Sequence, residues 1–553
     1  MILARTTARL AGRTLGAGIR GSARAPVRVV STKAAPKPVP RTLAAAFAAG
    51  GALVAGYLAY ASARPVALDD ASAADAAKEG VPHARAGAPR LIPYDEVQRH
   101  NTRESCWVVV DGQVYDATSV LAWHPAGAEV ILQLAGKDAT KAFVPIHPPN
   151  VLSHLPPEAH LGPVDPETLP ADAFAATEEE LRIAHARAEL PEPGAALNLQ
   201  DIEEFAQKVL TQTAWAYYRS TGDDEYSYWE NFAAFKRFWF RPRVLNKISK
   251  ISTETTMFGL KSSLPIFIAP AALARLGHPD GEMNLVRAAG SEGILQGISN
   301  NASCSVDEIM SVKRPGQDLI FQLYMNKDRS ASEKVIRGLE REGFKAIMLT
   351  VDAAVPGNRE IDRRAKGFTV GPAHGKSGTE GGGVALAISG YQDPDVCWDD
   401  IPWIQSLTKL PLIIKGIQCV EDAEKAFQYG AQSIILSNHG GRELDFSPSP
   451  MMLLYEIRQR RPELLKRHEV YIDGGVRRGT DVLKALCLGA RGVGLGRPFL
   501  WGNSVWGEDG CRRVIEIMRD EIATGMRLLG VTSIDQLTPE LVQYVDRDPV
   551  RCR

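Results

Sequence analysis

Apolar and polar positions in the second half of the chain follow a regular order of short apolar runs and longer amphipathic helical periods. Each apolar run is rich in β-branched residues and is followed by a helical pattern, an order typical of a parallel sheet. The predicted strands are residues 265–269, 293–298, 319–323, 346–351, 411–416, 433–437, 470–472 and 492–495. Eight such units predict an α/β (β/α)8 TIM barrel, whose active site lies at the carboxyl ends of its strands.

The residues that end these runs are polar or glycine-containing to a degree that chance would not give. A single polar strand end is an ordinary surface loop, but the carboxyl ends of all barrel strands converge on one face. The candidate site residues at these ends are Ala271, Ser299, Gln322, Tyr324, Thr350, Asp352, Arg359, Lys415, Ser437, His439, Asp473 and Gly496. The sequence therefore predicts one shared polar site.

The most informative strand end is the sixth, where an apolar strand stops at the sequence SNHGGR. Its histidine, His439, is suited to moving a proton near neutral pH. Its arginine, Arg442, is suited to binding a carboxylate through two parallel hydrogen bonds. The two glycines between them allow a tight turn and the close approach of a flat ligand.

Two glycine-rich segments with arginines, DGGVRRG and GLGRP, follow the seventh and eighth strands. Backbone amides of these turns, including that of Gly475, together with Arg477 and Arg497 predict a phosphate site, which is usual at this position of the barrel. Lys415, from the middle of the barrel, would place a positive charge beside the ring of the same ligand.

Residues 91–166 have the pattern of a compact small domain. Two short apolar runs flank an Asp-Gly pair at 111–112, which predicts a β-hairpin. His124 and His147 each lie in a proline-stiffened loop beside a helical period, so they can ligate a metal centre from opposite sides. Zinc would require further Cys or His ligands, so haem is the better interpretation.

The composition indicates a globular protein of more than one domain, with 553 residues, 45% hydrophobic and 23% charged. The net charge of −1 conceals an asymmetry, because residues 1–63 carry nine Lys and Arg and no Asp or Glu. Without that segment 55 basic and 65 acidic residues remain, a net charge of −10. Such a protein is a poor candidate for nucleic-acid binding. The seven cysteines include no CxxC pair and indicate neither a disulfide framework nor a zinc cluster.

The amino-terminal residues are typical of a targeting signal. Residues 1–41 place arginines among Thr, Ser, Ala and Leu without an acid, as mitochondrial presequences do. Residues 42–63 are uncharged and long enough to span a bilayer. Cleavage after them would release the protein into the intermembrane space, retention would anchor it in the inner membrane, and import into the matrix is the alternative. Residues 64–90 are expected to be a disordered spacer, and residues 167–196 a linker with a helix near 177–188.

Residues 91–166 resemble the cytochrome b5 family through the sequence CWVVVDGQVYD, the WHPAG box and the later histidine. The resemblance implies a small α+β domain that binds haem b with His124 and His147 as axial ligands. Two nitrogen ligands leave no open position on the iron, so such a haem passes single electrons and does not readily bind oxygen.

Residues 197–540 resemble the FMN-dependent α-hydroxy-acid oxidases and dehydrogenases through SNHGGRELD and IDGGVRRGTDVLKALCLGA, which leaves 541–553 as a tail. With a preceding b5-like module, the resemblance implies an enzyme that oxidises L-lactate or a related L-2-hydroxy acid with FMN. Electrons would then pass through haem b to cytochrome c in the mitochondrial intermembrane space. A homotetramer is also implied.

The resemblance further assigns substrate contacts to individual residues. Arg442, helped by Tyr217, would hold the substrate carboxylate, and Arg359 would be a second cationic anchor at the edge of the site. Tyr324 would hydrogen-bond the substrate hydroxyl.

The same resemblance assigns the chemistry and the flavin contacts. His439 would be the base that takes either the α-proton or the hydroxyl proton as a hydride leaves, and Asp352 would stabilise the resulting imidazolium. Lys415 would stabilise the reduced flavin. The other FMN contacts would be Ala271, Ser299, Gln322, Thr350, Ser437, Asp473, Gly475, Arg477, Gly496 and Arg497.

Two departures and three alternatives accompany this interpretation. Asn301 lies where the family usually has Leu or Trp over the substrate's side chain, which would favour a larger or more polar hydroxy acid. The glycine-rich residues 366–390 predict a mobile lid. The alternatives are an oxidase that gives its electrons to oxygen, a haem electron carrier with an inactive flavin site, and another FMN- or phosphate-binding barrel. The last would lack HGGR with its upstream Asp352.

Overall fold

The structure is a computed structural model that describes residues 90–124, 128–147, 151–170, 176–365 and 384–546. The predicted presequence, the apolar segment 42–63 and the spacer up to residue 89 lie outside these residues, as do residues 366–383 of the predicted lid. Within the described ranges, no helix combines the length and apolar character needed to cross a membrane.

The described part of the small domain is built on an antiparallel sheet in the order β1-β2-β3. The strands are β1 (Trp107–Val110), β2 (Gln113–Asp116) and β3 (His160–Pro163). Asp111 and Gly112 join the first two strands with φ values of 51° and 73°. Positive φ at both central residues is typical of the type I′ turn, a common two-residue hairpin turn, and the two strands pair antiparallel, so the predicted hairpin is confirmed.

Short helices complete the small domain, and they are α1 (Tyr94–Arg99), α2 (Ala128–Leu132) and α3 (Thr140–Phe143). Side chains of β1 alternate between the two faces of the sheet. Val108 and Val110 pack in one apolar cluster, and Val109 packs in another on the opposite face. Half-buried apolar side chains pack against the first cluster, among them Leu121, Ile131, Leu132, Phe143 and Leu152.

The linker contains helix α4 (Glu178–Ala188), which matches the helix predicted near 177–188. It begins at a capping box, in which the Thr177 hydroxyl accepts from the Glu180 N–H and the Glu180 carboxylate accepts from the Thr177 N–H at 2.7 Å. Glu180 also pairs with Lys141 of the small domain at 2.6 Å. Because this pair is exposed, it contributes little to stability.

Helices and short strands precede the barrel, namely α5 (Leu199–Val209), α6 (Gln212–Arg219), α7 (Tyr226–Lys236), β4 (Phe238–Phe240), β5 (Thr255–Met257) and β6 (Leu260–Ser262). Helix α5 buries one face, with Leu199, Ile202, Ala206 and Val209 spaced three or four residues apart. This spacing is that of an amphipathic helix against a core.

Eight parallel strands of the described chain close into a barrel in which each strand pairs with the next and the last pairs with the first. They are β7 (Ile266–Ile268), β8 (Leu295–Ile298), β9 (Leu319–Leu323), β10 (Ile347–Thr350), β11 (Leu412–Ile417), β12 (Ser433–Leu436), β13 (Glu469–Asp473) and β14 (Val493–Leu495). Each overlaps one predicted strand, so the predicted (β/α)8 barrel is confirmed.

The helices that follow β7 and later strands are α8 (Glu282–Glu292), α9 (Val306–Ser311), α10 (Arg329–Glu342), α11 (Glu360–Ala365), α12 (Val384–Ser389), α13 (Asp400–Leu407), α14 (Val420–Gln428), α15 (Pro450–Arg460), α16 (Pro462–Arg467), α17 (Gly479–Leu488), α18 (Arg497–Trp506) and α19 (Glu508–Leu529). Helix α12 is the described part of the predicted lid. Helices α17 and α19 pack so closely that a Cβ atom at Gly525 of α19 would collide with the Leu483 side chain of α17.

The barrel interior is apolar and is closed at its amino-terminal end by the β5–β6 hairpin. Phe258, in the hairpin turn, stacks on Tyr471 with ring centroids 3.9 Å apart and donates its N–H to the Tyr471 hydroxyl. The interior is filled by Phe267, Leu295, Ile320, Met348, Ile413 and Ile435. Because side chains fill the amino-terminal end, a ligand can enter the barrel only at the carboxyl ends of its strands.

Strand β15 (Val542–Tyr544) pairs antiparallel with β4. Strand β15 lies in residues 541–553, which the sequence predicts to be a tail after the larger domain. The strand belongs to the fold because Val542 is buried and Tyr544 stacks on Tyr455 with ring centroids 5.0 Å apart.

Truncating a buried leucine of the outer helical layer should destabilise the protein more than truncating an exposed one. Leu483→Ala, on α17, removes a fully buried side chain and should lower the free energy of unfolding by about 3 kcal/mol. Leu528→Ala, on α19, changes a side chain that is 71% exposed and should change it by less than about 0.5 kcal/mol. Urea unfolding followed by circular dichroism measures both, and equal losses would contradict the described packing.

Candidate active site

Residues from all eight strand ends meet in one cavity at the carboxyl mouth of the barrel. The predicted residues that line it are Tyr217, Ala271, Ser299, Gln322, Tyr324, Thr350, Arg359, Lys415, His439, Arg442, Asp473, Gly475, Arg477, Gly496 and Arg497. The other two, Asp352 and Ser437, are hydrogen-bonded to His439 and Lys415 respectively. The barrel fold thus brings the predicted set together.

His439 and Asp352 form a hydrogen-bonded pair at this mouth. Nδ1 of His439 lies 2.8 Å from Oδ1 of Asp352, whose side chain is fully buried. Nδ1 donates to the carboxylate, which leaves Nε2 to accept a proton. Burial alone would raise the pKa of Asp352, but the charges of His439 and Lys415 hold it below its ordinary value. Asp352 is therefore ionised and can stabilise a protonated imidazole.

The ammonium group of Lys415 is buried among acceptors from neighbouring strands. Its Nζ lies 3.0 Å from Oγ of Ser437, 3.3 Å from Oδ2 of Asp473 and 4.0 Å from Oδ2 of Asp352. Burial alone would lower the pKa of Lys415, but the two carboxylates raise it above its ordinary value. Lys415 is therefore a fixed cation in the cavity wall.

The loop that carries His439 has an unusual backbone that a buried amide pair supports. His439 has a φ of 56°, which is uncommon for a residue other than glycine. The preceding Asn438 exchanges two hydrogen bonds of 2.8 Å with Asn231 of α7, and both side chains are buried. At Gly441, φ is 75° and a Cβ atom would lie 2.7 Å from the backbone nitrogen of Tyr228. The Asn231 contact was not predicted, because its partner is 207 residues away in the chain.

Arg442 presents an under-neutralised charge to the cavity. Its Nη1 donates to the backbone carbonyls of Tyr217 and Tyr218 at 2.9 and 3.0 Å, and its Cζ lies 5.0 Å from the Tyr217 ring centroid. Burial and then the nearby Arg359 lower the pKa of Arg442 to about 10. A bound carboxylate would relieve this destabilisation, so Arg442 fits an anionic substrate group.

Arg359 also lines the cavity, but its charge is matched by a residue that was not predicted. Its Nη2 donates to the Glu443 carboxylate and its Nε to the Arg442 carbonyl at 3.1 Å. Burial alone would lower the pKa of Arg359, but Glu443 raises it above its ordinary value. The sequence offered one clue, since Glu443 directly follows HGGR.

Two tyrosines of the cavity wall, the buried Tyr217 and the half-buried Tyr324, keep their protons in this environment. Burial raises the pKa of Tyr324 well above its ordinary value, and the charge of Asp352 adds to the effect. Burial also raises the pKa of Tyr217, against the opposing charge of Arg442. Both hydroxyls can therefore act as hydrogen-bond donors to a ligand.

Unpaired polar atoms along the cavity wall fit a flavin ring. Gln322 Nε2 and Thr350 Oγ1 are buried and have no hydrogen-bond partner among the described residues. Buried polar atoms are rarely left unpaired in proteins. The ring edge of a flavin offers carbonyl and N–H groups that can pair with them, and Ser299 lies beside them, 3.3 Å from Gln322 Oε1.

The neighbouring part of the cavity fits the phosphate of FMN. Arg497 donates to three backbone carbonyls at 2.9–3.2 Å, and burial and then Arg442 lower its pKa to about 9. Arg477 lines the cavity nearby. Gly475 has a φ of 78°, and a Cβ atom there would collide with the backbone carbonyl of Asn231, so only glycine fits this turn. Two guanidinium groups beside a glycine turn suit a phosphate.

The small domain contains a second site, formed by His124 and His147. Their ring centroids lie 6.1 Å apart. Because each ligating nitrogen lies about 2 Å from a metal and a centroid lies about 1 Å behind its nitrogen, two axial imidazoles have centroids about 6 Å apart. The spacing therefore fits one iron held between two histidines.

The surroundings of His147 prepare it as a ligand. Its Nδ1 lies 3.1 Å from the Phe143 carbonyl, to which it can donate, and its ring stacks on Phe143 at 4.1 Å. This bond leaves Nε2 for the metal. Burial lowers the pKa of His147, which favours the neutral ligand form. The half-buried apolar residues Leu121 and Ile131 suit an apolar macrocycle.

Comparisons with known proteins match both domains. Residues 206–544 match the FMN-dependent dehydrogenase family, and residues 93–165 match the cytochrome b5-like haem/steroid binding domain. The chain is 45% identical over 451 residues to the L-lactate dehydrogenase (cytochrome) of Wickerhamomyces anomalus, covering 81% of this chain and 78% of that relative.

Two solved structures are similar to the larger domain. A variant of flavocytochrome b2 with pyruvate bound is 42% identical with a TM-score of 0.62, covering 66% of this chain and 91% of that one. A variant of mandelate oxidase with (S)-mandelic acid is 33% identical with a TM-score of 0.56, covering 63% of this chain and 98% of that one.

These matches confirm the predicted α+β haem domain ahead of the barrel and the predicted cofactors, FMN and haem b. The cavity and the histidine pair have the residues that the two cofactors need. The chain therefore belongs to the FMN-dependent dehydrogenase family and carries a cytochrome b5-like haem domain before its barrel.

Proposed function

We propose that this protein oxidises an L-2-hydroxy acid, L-lactate to pyruvate, and passes the electrons through its haem to cytochrome c. The observation that carries the proposal is the meeting of Arg442, His439 and Asp352 at one barrel mouth. The relative from W. anomalus is named for lactate, and the similar flavocytochrome b2 structure holds pyruvate. The second candidate is a larger hydroxy acid, which the similarity to mandelate oxidase favours.

Substrate binding in this proposal begins with the carboxylate. Arg442 binds it with two parallel hydrogen bonds, helped by the hydroxyl of Tyr217. Tyr324, which stays protonated, donates to or orients the substrate hydroxyl. Arg359 keeps its bonds to Glu443 and the Arg442 carbonyl, so it acts as a cationic support at the edge of the carboxylate site.

His439 is the base of the proposed reaction. Its Nε2 takes a proton from the substrate, either from the α-carbon or from the hydroxyl as a hydride leaves. The positive charge that then forms on the imidazole lies 2.8 Å from the ionised Asp352, which stabilises it without itself taking the proton.

The remaining predicted residues hold the cofactors. When bound, FMN accepts two electrons from the substrate and the haem iron carries them away singly. Arg477, Arg497 and the turn at Gly475 hold the phosphate. Lys415 supplies a fixed positive charge where negative charge develops, held in place by Ser437 and Asp473.

The haem domain supports a dehydrogenase over an oxidase. With His124 and His147 as its two ligands, the haem iron would pass single electrons, which suits an acceptor such as cytochrome c, and would not readily bind oxygen. Ile146, next to His147, packs against the apolar core of the larger domain. This contact brings the haem-ligand loop against the domain from which its electrons come.

We also propose delivery to the mitochondrial intermembrane space, either as a released protein or anchored in the inner membrane through residues 42–63. The support is the acid-free basic segment 1–41 followed by an uncharged apolar one. A homotetrameric assembly is proposed on the family resemblance.

An anaerobic absorbance spectrum with L-lactate tests the proposed electron path. The holoenzyme should show bleaching of the flavin band together with sharp reduced-haem bands. His124→Ala should lose the haem bands but keep flavin bleaching, and His439→Gln should keep both cofactors and lose the response by at least about hundredfold in rate. Absence of flavin bleaching with any 2-hydroxy acid would refute the proposed function.

Replacing Asp352 by Asn should slow flavin reduction by about 10²- to 10⁴-fold, because a neutral amide cannot stabilise the imidazolium. Since the pKa of Asp352 lies below its ordinary value, protonation of this carboxyl should slow the wild-type reaction only at a lower pH than an ordinary aspartate would. Stopped-flow flavin reduction across pH measures both effects. An unchanged rate in the variant, with FMN absorbance intact, would remove Asp352 from the mechanism.

Import into isolated mitochondria should depend on residues 1–41. Deleting them should abolish protease protection, and deleting only 42–63 should shift the protein from the intermembrane space to the matrix. Fractionation after selective rupture of the outer membrane distinguishes these compartments. Import without residues 1–41 would contradict the proposed targeting.

A further inference from the structure

A polar group lies on the cavity wall across from the proton-transfer loop. Asn301 lines the cavity and follows β8, whereas His439 and Arg442 follow β12. In the closed barrel β8 and β12 are four strands apart, so their carboxyl ends face each other across the mouth. A hydroxy acid held by Arg442 and His439 has one remaining substituent, which extends away from their loop toward Asn301.

A short hydrogen-bond chain fixes the Asn301 side chain. The Tyr391 hydroxyl donates to Asn301 Oδ1 at 2.7 Å and accepts from Asn300 Nδ2 at 2.6 Å. Burial raises the pKa of Tyr391 to about 12, so this hydroxyl keeps its proton. The Tyr391 carbonyl accepts from the Lys327 N–H at 3.0 Å, which holds this residue against the segment after β9.

These bonds leave the Asn301 amide nitrogen as a donor at the cavity wall. Its oxygen is already engaged by Tyr391, and its Nδ2 makes no hydrogen bond to the residues that the structure describes. A methyl substituent on the substrate is small enough to leave room for a water molecule at this nitrogen. An ethyl substituent would displace that water without replacing the bond, whereas a hydroxymethyl substituent of the same size replaces it.

We propose that Asn301, held by Tyr391, selects among substrates larger than lactate those whose third carbon carries a hydroxyl or another hydrogen-bond acceptor. The proposal rests on the proposed oxidation of a 2-hydroxy acid and names the substrate class of that site. The smallest member of the class is L-glycerate, and L-2-hydroxybutanoate is its counterpart of equal size without the hydroxyl.

The test compares these two acids, with L-lactate as reference, by anaerobic stopped-flow reduction of the flavin in the holoenzyme. The wild-type protein should prefer L-glycerate over L-2-hydroxybutanoate by about tenfold in the second-order rate constant. Asn301→Leu should reverse this preference, because an apolar side chain at this position favours the ethyl substituent. Comparing the ratio between proteins cancels the different intrinsic reactivities of the two acids.

A second variant, Tyr391→Phe, tests the proposal even if Asn301→Leu does not fold. Tyr391→Phe keeps the ring and Asn301 but frees the amide to turn, so the preference should fall by severalfold with FMN absorbance unchanged. If the ratio of the two rate constants in either folded variant equals that of the wild-type protein, the proposal is overturned. If no acid reduces the wild-type flavin, the proposed function itself fails, which is a distinguishable result.

Discussion

The buried ammonium group of Lys415 is the constraint around which the barrel mouth is arranged. A charge removed from water is strongly destabilising unless it is paired and hydrogen-bonded. Lys415 meets that requirement through Asp473, Ser437 and Asp352, which come from three other strand ends. Asp352 uses its second oxygen to orient His439. His439, the proposed base, is thus held in position by the same carboxylate that helps to neutralise the lysine.

A surplus of positive charge remains after this pairing, and it is localised. Arg442 and Arg497 both donate to backbone carbonyls and both have a lowered pKa, of about 10 and about 9. Arg359, by contrast, is neutralised by Glu443. Because carbonyl dipoles only partly compensate a guanidinium, the two under-neutralised arginines are where anions gain most. They coincide with the predicted positions of the substrate carboxylate and the FMN phosphate.

The parts of this site that could be predicted from the sequence are those that one strand end specifies locally. His439 and Arg442 are three residues apart after an apolar run, and the glycine turns with Arg477 and Arg497 follow two others. Barrel closure then brings these ends together without further information, since every parallel strand of a closed barrel ends on the same face. The fold itself was predictable for a related reason, because the barrel strands are short, mostly apolar and almost entirely buried.

The parts that could not be predicted are pairs between segments far apart in the chain. Asn231 with Asn438 and Glu443 with Arg359 are joined only by the fold, at separations of 207 and 84 residues. The Asn301–Tyr391 bond is of the same kind, at 90 residues. The strand ends supply the groups that contact any 2-hydroxy acid. The pairs between distant segments either position these groups or line the part of the cavity wall next to the substituent that differs between substrates. The catalytic groups can therefore be predicted from this sequence more easily than the choice of substrate. The catalytic groups lie in local motifs, whereas the choice of substrate depends on contacts that form only when the barrel closes.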